Sequence, residues 1–353
     1  MAAIDIYFKE TVRQGASDLH MVIGRPPLLR VRGDLLPTPF PAITPKSNRE
    51  MLYEILDQEQ RAQVESNLDL DFAYELANVG RFRGNIFYQH RGMGAVFRLI
   101  PAGMVTLEQL RMPPVLRKIA DVRSGLVLVT GPTGSGKSTT LAAIVNYINE
   151  AREAHILTIE DPIEFVHQNK KCLITQRQVG IHTHNFHTAL KVAGRQDPDI
   201  VLVGEMRDLE TISLALTLSA FGMLVFGTLH TNSAMKTVDR IIDVYPPEEQ
   251  PQIRGMLAET LRGVIAQQLL RTADNKARIA AVEVLVGSPA LSNIIREGKT
   301  SMITSYMQAG AAEGMQTMDQ ALIKLVLEKK VTLEAALEKA QDRNLVQSKC
   351  RNE

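Results

Sequence analysis

The stretch Gly131–Thr139 constrains the fold more than any other part of the sequence. It reads Gly-Pro-Thr-Gly-Ser-Gly-Lys-Ser-Thr and matches the phosphate-binding loop pattern G-x-x-x-x-G-K-[ST] at every position. An apolar run with strand composition, Leu126 to Val129, precedes it, and a segment with helical periodicity, Thr140 to Ile148, follows it. A strand, a glycine-rich turn and a helix are the context in which such a loop binds a nucleotide. The sequence therefore predicts an α/β domain built around a P-loop.

The residue types of the loop indicate which atoms would hold the nucleotide. Its glycines let successive backbone N–H groups turn inward around a polyphosphate at a helix N-terminus. We expect Lys137 to meet the β and γ phosphates and the Ser138 hydroxyl to bind Mg²⁺. The predicted nucleotide-binding residues are Gly131, Pro132, Thr133, Gly134, Ser135, Gly136, Lys137, Ser138 and Thr139. Alone, this loop indicates ATP or GTP with Mg²⁺ and leaves the use of the nucleotide open.

Composition argues against two classes of protein. The chain of 353 residues carries 40 basic and 39 acidic side chains, so it lacks the strongly basic balance of a dedicated nucleic-acid binder, and no nucleic-acid partner is expected. Its 2 cysteines, Cys172 and Cys350, support neither a disulfide framework nor a cysteine zinc site. The cysteine content fits a reducing, cytosolic compartment.

The sequence offers no convincing targeting or membrane segment. Residues 1–14 include several charged side chains and have no apolar run of signal-peptide type. The longest apolar stretch, Leu214 to Leu229, contains Gly222 and Gly227 and is too short for a comfortable membrane span. It is better interpreted as a helix that ends near Gly222 and a buried strand from Leu224 to Thr228.

The length suggests two domains, one on each side of a linker. Residues 1–100 are predicted to form a small α/β module, and residues 101–116, which are rich in proline and glycine, are predicted to form the linker. A linker of this kind could act as a hinge or could only space two domains. Residues 117–353 are predicted to form the nucleotide-binding domain with a helical C-terminal region. Within the first module the predicted elements are a helix from Ile4 to Arg13, strands at Leu28 to Arg32 and Phe82 to Arg91, a helical region from Asn48 to Glu65, and a loop from Pro37 to Pro45.

After the linker, apolar strand candidates are interleaved in places with helical segments. The strand candidates are Gly125 to Thr130, His155 to Glu160, Cys172 to Gln178, Ile200 to Gly204, Leu224 to His230 and Ile279 to Val286. This alternation predicts a largely parallel sheet, in which ligands bind beyond the carboxyl ends of the strands. Beyond Pro289 the chain has helical periodicity, with apolar stripes that are expected to serve core or subunit packing.

Carboxylates follow two of these strands. Glu160 ends one strand and Glu164 follows it, and both could bind Mg²⁺ or orient water, although an Asp-Pro turn exposed to solvent would look the same. Glu205 follows the apolar strand from Ile200 and is the candidate to polarise the attacking water, with an ion pair to Arg207 as the alternative. Asp199, at the start of that strand, is expected to cap or pair structurally.

Histidines raise two further possibilities. His230 ends the strand from Leu224 and could sense the γ-phosphate, or it could be a structural hydrogen-bonding residue. His182, His184 and His187 form H-x-H-x-x-H, but this spacing suits neither one face of a helix nor a pair of strands. We therefore expect surface histidines there and no zinc site.

Four of these stretches occur in a characteristic order. The P-loop, Thr158 to Glu164, Asp197 to Asp208 and Gly227 to Ala234 resemble the Walker A motif, Asp box, Walker B motif and His box of the secretion ATPases, which drive type II and type IV secretion and type IV pili. Further likeness to the PilT branch, the pilus retraction motors, comes from residues 16–20, 204–211, 295–300 and 314–320. The resemblance covers nearly the whole chain.

The resemblance implies a fold and an activity. It implies a PAS-like N-terminal domain, a RecA-like ATPase domain and a homohexameric ring that hydrolyses ATP to retract pili for twitching motility. The ring would lie at the cytoplasmic face of the bacterial inner membrane, where its partners would be the pilus platform protein and a paralogous retraction ATPase. The residues that the motif positions imply for catalysis are Glu205, Lys137, His230, Glu160, Glu164, Arg81, Arg83 and Arg98, the three arginines belonging to the N-terminal domain.

Several other functions compete with this one. The stretches 192–195 and 291–294 depart from the usual pattern of the branch, so an accessory paralogue of the main motor is an alternative. An assembly ATPase of the same superfamily would generally carry a further N-terminal domain and four zinc-binding cysteines, and the 2 cysteines of this sequence disfavour that alternative. A RecA-like nucleic-acid motor would be expected to carry a basic strand-binding segment studded with aromatic residues. A subunit that binds ATP without hydrolysing it is disfavoured by the presence of Lys137, Ser138 and Glu205.

Overall fold

The computed structural model describes residues 2–31, 33–100, 103 and 105–351. The chain divides into two compact units, Met1–Gly103 and Met104–Glu353. Of the residues predicted as a linker, 101, 102 and 104 lie outside the described part of the chain, and a turn spans residues 107–111.

The first unit is built on an antiparallel sheet. Its strands are β1 (Asp18–Met21), β2 (Leu28–Val31), β3 (Asp34–Pro37), β4 (Asp69–Leu76), β5 (Gly80–Gln89) and β6 (Gly92–Ile100). Its helices are α1 (Asp5–Arg13), α2 (Pro45–Glu54) and α3 (Gln58–Asn67). The strands lie in the order β3-β2-β1-β6-β5-β4, and each pairs with its neighbours in antiparallel fashion.

Aromatic side chains fill the core between α1 and this sheet. The ring centroid of Phe8 lies 4.3 Å from that of Phe82 and 4.9 Å from that of Phe97. Gly84 has no room for a side chain, since an added Cβ would lie 2.8 Å from the rings of Phe72 and Phe97. The packing of these rings therefore fixes how α1 covers the sheet.

The sequence predicted this unit only in outline. The region from Asn48 to Glu65 is two helices instead of one, because Asp57 starts a new helix: its carboxylate accepts the N–H of Gln60 at 2.8 Å, and the Gln60 side chain accepts the N–H of Asp57 at 3.1 Å. The predicted loop from Pro37 to Pro45 begins with the last residue of β3 and ends with the first residue of α2. The predicted strand from Leu28 ends at Val31, and Arg32 lies outside the described residues. Strands β1, β3, β4 and β6 were not predicted.

The second unit contains a mostly parallel sheet. Its strands are β7 (Gly125–Thr130), β8 (His155–Glu160), β9 (Leu173–Gln178), β10 (Ile200–Val203), β11 (Leu224–Leu229), β12 (Leu261–Arg271) and β13 (Arg278–Val286). They lie in the order β13-β12-β7-β11-β10-β8-β9, and only the β12–β13 pair is antiparallel. Six of these strands were predicted to within about one residue, and β12 was not predicted.

Helices cover the sheet and extend the unit at its C-terminal end. Those up to β12 are α4 (Val115–Ala120), α5 (Lys137–Ala151), α6 (Phe186–Ala193), α7 (Leu209–Ala220), α8 (Ala234–Asp243) and α9 (Gln250–Thr260). Those after β13 are α10 (Pro289–Arg296), α11 (Ile303–Ala309), α12 (Met318–Leu327), α13 (Leu333–Lys339) and α14 (Arg343–Arg351). Short 3₁₀ turns occupy Gly194–Gln196, Thr300–Met302 and Gly310–Glu313. No helix in the described ranges is long and apolar enough to cross a bilayer.

Burial on both faces of the sheet explains why the central strands are apolar throughout. In β7, Leu126 and Leu128 belong to one hydrophobic cluster, while Val127 and Val129 belong to another on the opposite face. Both faces of such a strand are dry, so the strand reads as a continuous apolar run. The predicted fold class is confirmed: an antiparallel N-terminal sheet domain, a mostly parallel α/β domain and a helical C-terminal region.

Candidate active site

Four adjacent parallel strands bring the sequence motifs to one edge of the second unit's sheet. Strands β7, β11, β10 and β8 are neighbours in that order, with Thr130 beside Leu229 and Val203 beside both Gly227 and Ile159. The P-loop, the His box, the Walker B motif and the Asp box follow these strands in turn. Because the strands are parallel, all four motifs leave the sheet at the carboxyl edge, where ligands of such sheets bind.

The P-loop has the backbone that an anion cradle needs. Gly131 and Gly136 have φ angles of 145° and 88°, which favour glycine. An added Cβ on Gly131 would lie 2.3 Å from the backbone oxygen of Gln267, so no side chain fits. Within the described residues, Thr140 is the first residue of this helical turn whose N–H has a backbone acceptor, the oxygen of Gly136 at 3.0 Å. The N–H groups at the start of α5 are therefore available to an anion.

Gln267 of β12 supports the loop from behind. Its side-chain nitrogen donates to the backbone oxygen of Ser135 at 2.6 Å, and its side-chain oxygen accepts from the Thr140 hydroxyl at 2.8 Å. Gln267 is buried. Sequence reasoning missed this residue because it missed β12. The signal that could have revealed it is the pair Gln267 and Gln268 inside the otherwise apolar run from Val264 to Leu270.

Lys137 lies over the loop and close to two carboxylates. Its ammonium group donates to the backbone oxygens of Gly131 at 2.8 Å and Pro132 at 3.1 Å. Burial lowers the pKa of Lys137, while the charges of Glu205 and Glu164 oppose that shift. The Lys137 ammonium therefore interacts electrostatically with both Glu205 of the Walker B motif and Glu164 of the Asp box.

Glu205 is the centre of a short hydrogen-bonded cluster. One of its carboxylate oxygens lies 2.7 Å from Nε2 of His230 and 2.6 Å from Nε of Arg207. Burial raises the pKa of Glu205, but the hydrogen bonds from Arg207 and His230 outweigh it, so the net pKa lies below the ordinary value. The alternative ion pair to Arg207 is therefore present, and it coexists with an ionised carboxylate at the strand end.

Backbone contacts fix the Walker B motif against the His box. The N–H of Met206 donates to the oxygen of Thr228 at 2.9 Å, and the Thr228 hydroxyl donates to the oxygen of Gly204 at 2.5 Å. Gly227 allows this approach, since a Cβ there would lie 2.2 Å from the sulfur of Met206. Glu205 and His230 are consequently held at a set distance by the strands that carry them.

The His box is also tied to a distant carboxylate. Ser233 caps α8 by accepting the N–H of Lys236 at 3.3 Å. The carboxylate of Glu283 in β13 accepts the N–H of Ala234 at 2.6 Å and the N–H of Met318 at 3.0 Å. Glu283 therefore joins the start of α8 to the start of α12, and sequence reasoning did not single it out.

Glu160 is held at the end of β8. It accepts from the Thr158 hydroxyl at 2.6 Å and from the Gln176 side chain at 3.1 Å. Burial raises the pKa of Glu160 even though both hydrogen bonds oppose the shift. Glu160 lines a small cavity of about 40 Å³ that also contacts Ser138 and His167. The Asp box and the P-loop serine thus face the same space.

The three predicted arginines lie in the first unit. Arg81 is 3.3 Å from Glu75, Arg83 is 4.0 Å from Asp71, and Arg98 is 2.8 Å from Asp18. Arg83 and Arg98 are cross-strand partners, and Arg81 lies two residues from Arg83 in β5, so all three are on one face of that sheet.

The remaining polar candidates have structural contacts. Asp199 accepts the N–H of His155 at 2.8 Å, which supports the expected structural role. Nδ1 of His182 accepts the N–H of Gln178 at 3.0 Å. Among the residues that the structure describes, no group of three or more His, Cys, Asp or Glu side chains could hold a metal ion.

Comparison with known proteins agrees with this geometry. The family described as type II/IV secretion system protein matches residues 2–352. The type IV pilus retraction ATPase PilT of Pseudomonas aeruginosa is 52% identical over 331 residues, covering 94% of this chain and 96% of its own. The type IV pilus ATPase PilU of the same organism is 39% identical over 333 residues, covering 94% and 87%. A crystal structure of the pilus retraction motor PilT with bound ADP superposes with a TM-score of 0.91 at 42% identity and covers 99% of both chains.

Proposed function

The chain belongs to the family of type II/IV secretion system proteins, and we propose that it works as a homohexamer that uses Mg²⁺-ATP. Its activity is that of a PilT-type pilus retraction ATPase, which serves twitching motility. The observation that carries the reaction is the contact between Glu205 and His230, 2.7 Å apart, at the sheet edge that also holds the P-loop.

The second unit supplies the groups that an ATP hydrolase needs. The N–H groups at the start of α5 and the ammonium of Lys137 are suited to bind the phosphates. The ionised carboxylate of Glu205 can accept a hydrogen bond from the attacking water and orient it. Arg207 and His230 hold that carboxylate in place, because each donates to it. We also propose that His230, through its contact with Glu205, responds to the γ-phosphate.

The residues around Ser138 fit a magnesium ion. The hydroxyl of Ser138 and the carboxylate of Glu160 border one small cavity and provide the oxygen ligands that Mg²⁺ prefers. Mg²⁺ commonly binds nucleotide sites through few protein ligands, so the absence of a multi-residue metal cluster in the described ranges is compatible with it. When bound, the ion neutralises charge on the phosphate oxygens. Glu164 remains a candidate for orienting the water ligands of the magnesium ion.

Arg81, Arg83 and Arg98 are our candidates for stabilising the negative charge that develops on the transferring phosphoryl group. The side chains of Arg83 and Asp71 are 40% and 53% exposed, so their ion pair costs little to exchange. The Arg81 side chain is only 20% exposed, although its partner Glu75 is 66% exposed. Asp18, the partner of Arg98, is 5% exposed, and breaking that pair would leave a buried carboxylate without its cation. Since only the Arg83–Asp71 pair has both side chains exposed, Arg83 is favoured over Arg81 and Arg98 for a contact that forms and breaks.

The wider assignment follows from the family. We propose that the ring lies at the cytoplasmic face of the inner membrane and acts on the pilus platform protein, in some cells together with a paralogous retraction ATPase. The higher identity to PilT than to PilU favours the main motor over the accessory paralogue. A strain in which the gene is deleted, scored for pilus retraction and twitching, would distinguish the main motor from the accessory paralogue. Loss of an accessory motor is expected to leave residual retraction.

Hydrolysis is tested on the purified full chain. Lys137→Ala and Glu205→Ala are expected to abolish steady-state phosphate release with Mg²⁺-ATP. Glu210→Ala is a matched control, because it removes an exposed carboxylate on the helix after the Walker B motif. Normal turnover in either site variant would overturn the assignment of those residues. Complementation of a deletion strain by Glu205→Ala would exclude a hydrolytic role in retraction.

A further inference from the structure

Strand β13 is the outermost strand of the second unit's sheet, and its outer edge is only partly used. On the inner side it pairs with β12 along its whole length. On the outer side Val284 exchanges two backbone hydrogen bonds with Gln316, at 2.9 and 3.2 Å. The chain itself therefore begins a further antiparallel pairing at Val284 and does not continue it.

Alternation along the strand shows which backbone groups face outward. In an antiparallel pair, the N–H and C=O of every second residue point to the same side. Since those of Val284 point away from β12, those of Val282 and Ala280 do so too. The contact of the Gln316 side chain with the oxygen of Val282 at 2.6 Å agrees with this direction. The N–H of Val282 and both backbone groups of Ala280 have no outward partner among the described residues.

A groove runs beside this unpaired edge. It has a volume of about 450 Å³, and its floor is formed by Ile279 to Val282. The segment from Arg111 to Val115, residues 311–316 and side chains of α12, among them Ala321 and Leu325, also line it. Neighbouring strands of a sheet lie about 4.8 Å apart, so a strand added to β13 would lie directly beside the residues that line this groove.

The rim of the groove is mainly basic. Arg111, Lys118, Lys324 and Lys330 line it, against two acidic side chains, Glu313 and Glu328. Glu328 is already paired with Lys330 at 2.5 Å. Arg111, Lys118 and Lys324 are exposed, so an incoming chain would meet them first. An acidic ligand complements this rim, and a basic one is repelled.

We propose that this groove binds an extended acidic segment of a partner protein, which adds a strand to β13. The partner's backbone bonds to Ala280 and Val282, and its carboxylates meet the lysines of the rim. The open edge from Arg278 to Val282 accommodates a segment of about five residues, on the order of 17 Å long. A helix cannot make these bonds, because its own N–H and C=O groups are paired internally. The site is separate from the nucleotide site and does not depend on the proposed mechanism of hydrolysis.

The test uses a fluorescein-labelled heptapeptide of alternating Glu and Val with capped ends, titrated with the full chain. The diagnostic variant is Ala280→Pro. It removes one outward N–H but no bond to β12, because the N–H of Ala280 points away from β12, and proline is tolerated on a strand edge. Ala280→Val is its matched control, since it keeps the N–H and suits a strand. Lys324→Glu tests the charge of the rim, and the same peptide with Lys in place of Glu tests it from the other side.

Strand addition predicts saturable binding that weakens about tenfold in Ala280→Pro and stays unchanged in Ala280→Val. Bound peptide is also expected to slow hydrogen exchange of the amides at 278–282, while ATPase rate and melting temperature stay the same in both Ala280 variants. Binding that Ala280→Pro leaves unchanged would mean attraction by charge alone and would overturn the proposal. So would absence of binding together with an altered oligomeric state in Ala280→Pro, which would make the edge a contact between copies of this chain.

Discussion

The side-chain nitrogen of Gln267 lies 2.6 Å from the backbone oxygen of Ser135, so β12 holds the phosphate-binding loop from behind. The same side chain accepts from Thr140 in the first turn of α5 at 2.8 Å. The shape of the loop therefore depends on a residue more than a hundred positions later in the chain. This is a positioning contact, since the amide oxygen and nitrogen of Gln267 bond to Thr140 and Ser135.

Gln267→Leu is expected to weaken nucleotide binding. The leucine keeps the approximate size of the side chain but leaves the oxygen of Ser135 and the hydroxyl of Thr140 without their buried partner. Loss of such bonds costs about 1–3 kcal/mol, and we expect the Kd for a fluorescent ADP analogue to rise about tenfold or more. Gln268→Leu is the control, because the Gln268 side chain contacts Lys339 and not the loop. Equal affinity in the two variants would contradict the role given to Gln267.

His230→Ala is expected to slow hydrolysis while leaving ATP binding nearly intact. The variant removes one of the two donors that hold Glu205, so the carboxylate loses orientation but keeps Arg207. General-base contributions are about 10²–10⁴-fold, and disordering the base should remove a large part of that in kcat. Single-turnover measurements with Mg²⁺-ATP would separate kcat from Kd. His187→Ala, which affects only an exposed pair with Glu210, serves as the control, and an unchanged kcat in His230→Ala would show that Arg207 alone suffices.

The parts of the site that could be predicted are those that follow buried parallel strands. Strands β7, β8, β10 and β11 are apolar on both faces, so their ends can be recognised locally, and the polar residues after them, such as Glu205 and His230, are conspicuous. Because parallel neighbours end at one edge, the convergence of these residues also follows from the fold class.

The parts that could not be predicted depend on long-range contacts or weak local signals. Strand β4 alternates exposed and buried positions and carries three acidic residues, so its composition does not look like a strand. The break between α2 and α3 depends on Asp57, which caps α3 through a local contact. The surrounding residues favour a helix, so the sequence predicted one continuous helical region there. Gln267 and Glu283 bind backbone groups that are distant in the sequence, and the residues next to them in the sequence do not indicate which groups these are.

Glu283→Gln is expected to loosen the connection between the His box and the C-terminal helices. Glu283 accepts the N–H of Ala234 on one oxygen and the N–H of Met318 on the other, and an amide has an acceptor on only one of these atoms. One buried donor would then face an NH₂ group, at a cost of about 1–3 kcal/mol. Thermal unfolding should show a lower Tm, and hydrogen exchange should speed up at the starts of α8 and α12. Glu297→Gln, at an exposed position after α10, is the control, and equal exchange rates in the two variants would contradict the connection.

His167 is expected to make the protein less stable in mild acid. Burial, with a smaller contribution from the charge of Lys170, lowers the pKa of His167 from 6.5 to about 4. The unfolded chain therefore binds a proton below about pH 6.5 that the folded chain refuses until about pH 4, so stability is present above that window and falls through it by up to about 1.4 kcal/mol per pH unit. His167→Phe removes the titrating ring, and Nδ1 of His167 has no hydrogen-bond partner to lose. Urea unfolding at about pH 7.5 and about pH 5 should show a smaller loss of stability in His167→Phe than in the native chain. Exposed His184 gives the control variant His184→Phe, which should keep the native pH dependence, and identical slopes in all three proteins would show that His167 titrates normally in the folded state.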